Sequence, residues 1–133
     1  MLLSDYINNT SGKGILATAN ADGQVDTAIY SKPHFREDET LAFIMREHLT
    51  HENLQSNPYA NYAFIEDGPG YGGIRLFLKK VREDDDPDLI AQMTRRHLTP
   101  EEDKARGPKY IAYFKVEKML NLIGPGEPDI TVT

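Results

Sequence analysis

Short strand-like runs, set apart by turn signals, constrain this chain more than any other feature. Residues 14–20 (GILATAN) lead into Ala21-Asp22-Gly23-Gln24, whose Asp-Gly pair is a strong hairpin signal. Residues 25–32 alternate, with Val25, Thr27, Ile29 and Ser31 on one face and Asp26, Ala28, Tyr30 and Lys32 on the other. Pro33 ends that run because it has no N–H for a ladder. Residues 40–46 (TLAFIMR) are apolar on both faces, which predicts a central, buried strand. Aromatic-rich residues 59–66, alternating residues 74–82 (Ile74, Leu76 and Leu78 on one face) and residues 110–116 complete a set of six. Between two of them, residues 67–73 (DGPGYGG) pack four glycines and a proline into a loop.

A few short helices punctuate the pattern. Residues 2–11 fit a short amphipathic helix with Leu3 and Ile7 on one side, closed by Gly12 and Gly14. Thr50 or its neighbour is placed to cap a helix over 51–56, which Asn57-Pro58 stops. Asp86-Pro87 supplies an N-cap and a first-turn proline for a helix striped by Leu89, Ile90 and Met93, which Arg95, Arg96 and His97 finish favourably against the dipole. Thr99-Pro100-Glu101-Glu102 repeats the capping pattern. No repeat, linker or low-complexity stretch divides the chain. The expectation is one domain over 1–133, mainly β, a six-stranded antiparallel barrel or sandwich with a few short helices; 124–133 reads as a C-terminal tail.

At 133 residues such a domain buries roughly 65–70% of its unfolded surface, enough for a core without disulfides. The chain has no cysteine, which excludes thiolate metal sites, redox dithiols and a cysteine nucleophile. Fifteen basic against 21 acidic side chains give a net charge of −6, which argues against nucleic acid as a partner. No run approaches the roughly 18 apolar residues of a membrane span. Met1-Leu2-Leu3-Ser4-Asp5 has neither a basic nor an apolar leader region, so a cytoplasmic protein without a membrane partner is expected.

Most sites suggested by composition dissolve on inspection. In EHLTHE, His48 and His51 with Glu47 and Glu52 fit neither H-E-x-x-H nor H-x-x-E-H, and His48 precedes the helix, so no metal site is expected. Residues 82–88 (REDDDPD) hold five acids without the spacing of a calcium loop. The DGPGYGG loop lacks the G-K-[ST] ending of a phosphate loop. No G-x-S-x-G surrounds Ser4, Ser11, Ser31 or Ser56, and no carboxylate pair is marked as buried, so a hydrolase is unsupported. Residues 44–53 (IMREHLTHEN) keep a physical reading. A buried strand delivers Arg46 to a turn and a helix start, where free N–H groups, the Arg46 fork and the Thr50 hydroxyl suit an anion such as phosphate. The plain alternative is a capped helix beside an exposed arginine.

The order of these pieces resembles the FMN-binding split-barrel proteins related to pyridoxamine 5'-phosphate oxidase, in particular their small single-domain members. The matching segments are GILATANADGQVDTAIY, TLAFIMREHLTHENLQSNPYANYAF and GYGGIRLFLKKVRED, with Thr50, Asn53, Leu54, Asn57 and Pro58 carrying the T-x-x-N-L and N-P pattern. The resemblance implies a six-stranded antiparallel split β-barrel of Greek-key type and a homodimer with FMN at the subunit interface. By position, Ala28, Ile29, Tyr30 and Ser31 would run along the flavin ring. Met45, Arg46, Glu47, Leu49 and Thr50 would hold the ribityl chain and phosphate, and Asn53 would brace that turn. Relatives often carry a basic residue where Leu49 stands, and Glu47 adds a negative charge, so the implied phosphate grip rests on Arg46 and backbone. True pyridoxamine 5'-phosphate oxidases add a C-terminal R-x-H element; Arg95-Arg96-His97, read as a helix end, is not that element, so vitamin B6 oxidation is not expected.

The expected function is therefore an FMN-dependent oxidoreductase acting on an unknown small molecule, with the flavin supplying the chemistry. A second reading is a non-catalytic module that stores or senses flavin or haem. A third is an oligonucleotide-binding barrel stacking bases on Tyr59, Tyr62 and Tyr71, which the acidic balance opposes.

Overall fold

Alternation along the strands decides which way this sheet curls. The computed structural model describes residues 1–94 and 98–133. Helix α1 (Leu3–Asn9) is followed by β1 (Gly12–Ala19), β2 (Val25–Tyr30), β3 (His34–Phe35), β4 (Leu41–Arg46), α2 (Leu49–Ser56), β5 (Tyr59–Glu66), β6 (Gly73–Asp84), α3 (Pro87–Met93), α4 (Pro100–Ala105) and β7 (Lys109–Asn121). The strands form one antiparallel sheet in the order β2-β1-β5-β6-β7-β4-β3. It has seven strands against the expected six. The extra one is the two-residue β3, which forms because the chain leaves Pro33 still extended and pairs His34 and Phe35 with Ala42 and Leu41.

Inward residues from both ends of the strand order meet. Leu16, Phe43, Tyr62, Phe64, Leu76, Leu78 and Phe114 are all at most 2% exposed, and Leu3 and Ile7 of α1 plug the same core. Tyr30 of β2 stands edge-on to Phe43 of β4 with ring centroids 5.9 Å apart, although β2 is one edge of the sheet and β4 lies next to the other. The sheet is thus curled into a barrel with an open seam between β2 and the β3–β4 edge. Tyr62 crosses the interior and donates its hydroxyl to the carbonyls of Ser31 (3.3 Å) and Tyr30 (3.4 Å). Gly14 makes that path available, since a Cβ there would lie 1.9 Å from the Tyr62 hydroxyl oxygen. The burial of Tyr62 removes it from any base-stacking surface; Tyr59 and Tyr71 are exposed.

The expectation for residues 40–46 holds, with an added reason. β4 lies one place from the sheet edge, yet α3 covers its outer face: Ala42, Ile111 and Tyr113 pack with Ile90 and Met93 into a second core. β7 is longer than the predicted 110–116. The α3 start is as expected, with the Asp86 side chain accepting from the Asp88 N–H, and Thr99 caps α4 through Glu102. The expected Arg95-Arg96-His97 end of α3 lies outside the described residues. Residues 124–133 turn back to the N-terminus, where Leu3 N–H donates to the Thr131 carbonyl at 2.8 Å and Thr131 N–H to that of Met1 at 2.9 Å. No described helix is long and apolar enough to cross a membrane.

The first helical residue of α2 is Leu49, with His48 at the N-cap and no side-chain cap bond, so Thr50 is inside the helix rather than capping it. α2 docks on β1 through a buried bond from Asn53 Nδ2 to Thr18 Oγ1 at 3.1 Å. Two stability outcomes follow from this packing. Gly14→Ala forces Tyr62 off its path and is expected to cost about 2–3 kcal/mol in urea unfolding, the upper part of the overpacking range. Asn53→Ala leaves the Thr18 hydroxyl buried without its donor and is expected to cost about 1–3 kcal/mol in the same measurement.

Candidate active site

The barrel seam holds a cavity of about 220 Å³. β2 and the residues after it bring Tyr30, Ser31 and Lys32 to one side; His34 of β3 and Phe43, Ile44 and Arg46 of β4 form the other. The connection between β6 and β7 closes it with Thr94, Leu98 and Arg106, and Lys109 joins from the start of β7. Five of these residues are basic or histidine (Lys32, His34, Arg46, Arg106, Lys109) and none is acidic. Such a wall attracts anions over short distances, where cations in a partly dry site act strongly.

Arg46 and Lys109 are register partners on β4 and β7, so pairing alone sets the two cations side by side. Asp103 of α4 stands between their heads. Its Oδ1 accepts from Arg46 Nη2 at 2.7 Å and from Lys109 Nζ at 2.8 Å. Arg46 Nη1 also donates to the carbonyls of Gly107 (2.8 Å) and Asp103 (3.2 Å). The Lys109 ammonium, with the Arg46 guanidinium, holds the Asp103 carboxyl below the ordinary aspartate range.

Of the residues expected at a flavin site, Tyr30, Ser31 and Arg46 line the seam. Tyr30 is half-buried, and that burial raises its phenol pKa, while a hydrogen bond from the buried Thr50 works the other way. Thr50 therefore supports Tyr30 from behind. Ala28 is half-buried on the inward face, whereas Ile29 stands outward at 76% exposure. Met45 is in the barrel core, Leu49 is half-exposed on α2, and Asn53 is the buried brace to Thr18.

Glu47 turns away from the seam. Hydrogen bonds from Tyr110 and from His51 hold its carboxyl below the usual glutamate range. His51 Nδ1 lies 2.9 Å from Glu47 Oε1 and its Nε2 lies 2.9 Å from Glu83 Oε1, with the ring stacked on Tyr110 at 4.0 Å. Burial opposes ionisation of Glu83, but bonds from Lys80, His51 and Gln55 outweigh it and lower its pKa. This network fastens α2 to β6 and β7. The two His51 nitrogens face different carboxylates on opposite sides of the ring, an arrangement suited to structure.

Sequence reasoning missed Lys32, His34, Arg106 and Lys109. Lys32 and His34 flank Pro33 and were within reach of a local reading. Lys109 is tied to Arg46 only by register, and Arg106 only by the path of the chain after α4.

No protein-family model and no curated protein sequence matches the chain. Solved structures do. An FMN-binding protein from Syntrophomonas wolfei superposes with a TM-score of 0.72 at 18% identity, over 91% of this chain and 84% of that one. HupZ from Group A Streptococcus gives 0.67 at 20% identity, over 96% and 99%. A putative pyridoxamine 5'-phosphate oxidase from Lactobacillus delbrueckii gives 0.65 at 13% identity, over 90% and 93%. With its curled antiparallel sheet and open seam, the chain has the split-barrel fold of the pyridoxamine 5'-phosphate oxidase-like proteins.

Proposed function

We propose that this chain is a flavin-binding protein that takes FMN, works as a homodimer and serves oxidation–reduction of a small molecule. The observation that carries the reading is the acid-free cluster of Lys32, His34, Arg46, Arg106 and Lys109 beside the free edge of β2. Likeness to an FMN-binding protein of the same fold supports the choice of ligand. The donor set suits a phosphate: the residues that line the cavity include Arg46, Arg106, Lys109 and Ser31, while the Lys32 ammonium donates to the Thr10 carbonyl at 2.7 Å. Glu47 does not enter that cavity, so its charge does not oppose the phosphate there.

The rest of the site follows from shape. A cavity of about 220 Å³ is smaller than the roughly 300–1,000 Å³ that hold a whole ligand of this size. One protomer thus supplies the anion end, and a second copy completes the enclosure. Val25 at 81% and Ile29 at 76% exposure put β-branched side chains on the open face of edge strand β2, where a partner would cover them. When bound, the flavin supplies the hydride or electron chemistry. The chain's own residues bind and orient: Arg46 and Lys109 hold the anion, Tyr30 presents a desolvated phenol at the cavity wall, and the outward N–H and C=O groups of β2 are available to a polar ring edge.

Protein purified and desalted after addition of FMN is expected to stay yellow with shifted flavin bands. An Arg46→Met, Lys109→Met double variant is expected to weaken FMN by about 100-fold or more, since each lost charge-assisted bond is worth roughly 1.5–3 kcal/mol, while riboflavin binding changes little. Equal loss of both ligands would place the phosphate elsewhere. A Val25→Asp, Ile29→Asp variant is expected to sediment as a monomer and lose FMN together with the dimer. Reduction of bound flavin by NADH or NADPH, with turnover on an added acceptor, separates an enzyme from a storage module.

A further inference from the structure

Asp103 is an unusual neighbour for a phosphate site. Its single oxygen Oδ1 is shared by both cations that strand pairing sets side by side. The Arg46 and Lys109 side chains are only 17% and 20% exposed, against 38% for Asp103, so the carboxylate is the most accessible of the three. Asp103 also belongs to a peripheral element. α4 has six residues and no buried side chain, and Arg46 grips its C-terminal end through the carbonyls of Asp103 and Gly107. Asp103 is absent from the seam wall and lines the neighbouring cavity under α3 and α4, while Lys109 lines both. The cation heads therefore sit between an internal carboxylate on one side and the seam on the other.

We propose that Asp103 is the specificity-determining residue of the seam: an internal counter-anion that makes the site accept dianionic phosphate monoesters and reject carboxylates. The inference rests on the reading that an anionic ligand group binds in the seam. With Asp103 in place, Arg46 and Lys109 carry a net charge of one rather than two toward an incoming group. A ligand carboxylate offers these cations the same charge and geometry that Asp103 already gives, so the exchange gains little. A phosphate dianion offers about twice the charge and three acceptor oxygens, enough to draw both cations away from Asp103. Once they turn to the ligand, α4 loses its main tie to the barrel, because the Arg46 and Lys109 contacts with Asp103 and Gly107 leave together. The described part of the molecule supplies no other acidic side chain to these two cations.

The test compares wild type with Asp103→Asn, using inorganic phosphate and acetate by calorimetry and FMN and riboflavin by fluorescence. Asp103→Asn is expected to bind phosphate and FMN at least about tenfold more tightly, the scale of one charge-assisted bond, to bind acetate measurably where wild type does not, and to leave riboflavin unchanged. Because asparagine keeps an amide oxygen that still accepts from both cations, Asp103→Ala is run beside it and is expected to shift further the same way. Wild-type affinity for FMN, a phosphate monoester, is expected to fall as pH drops through about 6, where the dianion gains a proton. Tryptic cleavage after the exposed Lys104 is expected to speed up when phosphate binds wild type.

Weaker or unchanged phosphate binding in both variants overturns the inference and makes Asp103 a positioning residue. Cleavage at Lys104 that phosphate leaves unchanged or slows also overturns it. The flavin reading fails separately: if phosphate responds as expected but FMN binds no better than riboflavin, Asp103 keeps its role and the ligand is another phosphate ester. If FMN binds through its phosphate and neither variant alters that, the flavin reading stands and this one falls.

Discussion

The path of Tyr62 across the barrel is the contact on which the site depends. Its ring fills the interior between β5 and the seam, and its hydroxyl reaches the carbonyls of Tyr30, the last residue of β2, and of Ser31 after it. A buried phenol must find acceptors, and these are the ones available. Through this bond the β2 end is held against Phe43 of β4, with Tyr30 edge-on between them. The seam is therefore narrow enough for side chains of β2 and β4 to line one cavity, and open enough to admit a ligand group. The chain can adopt this only because Gly14 carries no Cβ where Tyr62 passes.

The other half of the site comes from burying both faces of one strand pair. β4 and β7 have the barrel core on one side and α3 on the other, so little of their length can end in water. Arg46 and Lys109 are the first residues beyond that double cover, and both project at the point where burial gives out. Two like charges on neighbouring strands repel unless an anion joins them. The chain answers with Asp103 from the segment between β6 and β7, which lies against the same strands through α3. Covering the outer face of β4 and supplying a counter-anion to its end are thus two results of a single insertion.

Local physics made much of this legible. The Asp-Gly hairpin, the proline stop after β2, the two-sided apolar run of β4 and the Asp86-Pro87 and Thr99-Pro100 caps all depend on residues within a few positions of each other, and each appears as expected. The two-residue β3 was not legible, because its pairing rests on a turn in which Glu39 adopts φ 68°, a conformation non-glycine residues rarely take. Of the residues that line the seam, Tyr30, Ser31 and Arg46 were legible from strand ends. Lys109 and Asp103 were not, since they meet Arg46 across 57 or more positions of chain by register and loop path. The outward direction of Val25 and Ile29 was also hidden: period two fixes that they share a face, and only the inward turn of Tyr30 fixes which face it is.

Net charge misled less than it suggests. A chain at −6 repels anions at long range, but at physiological ionic strength that field fades over about 8 Å. What a phosphate meets at contact is the local wall, and there the acids have been drawn off: Glu47 to His51 and Tyr110, Glu83 to Lys80, Gln55 and His51, Asp38 to Thr40 and Arg82. Each of these carboxylates sits below its ordinary pKa because it is already bonded elsewhere. The seam is positive by sorting rather than by composition, and among the described residues Asp103 is the one acid paired with Arg46 and Lys109. How strongly the cavity holds an anion is then set by a competition inside the chain, between a carboxylate on a small outer helix and whatever enters from the seam.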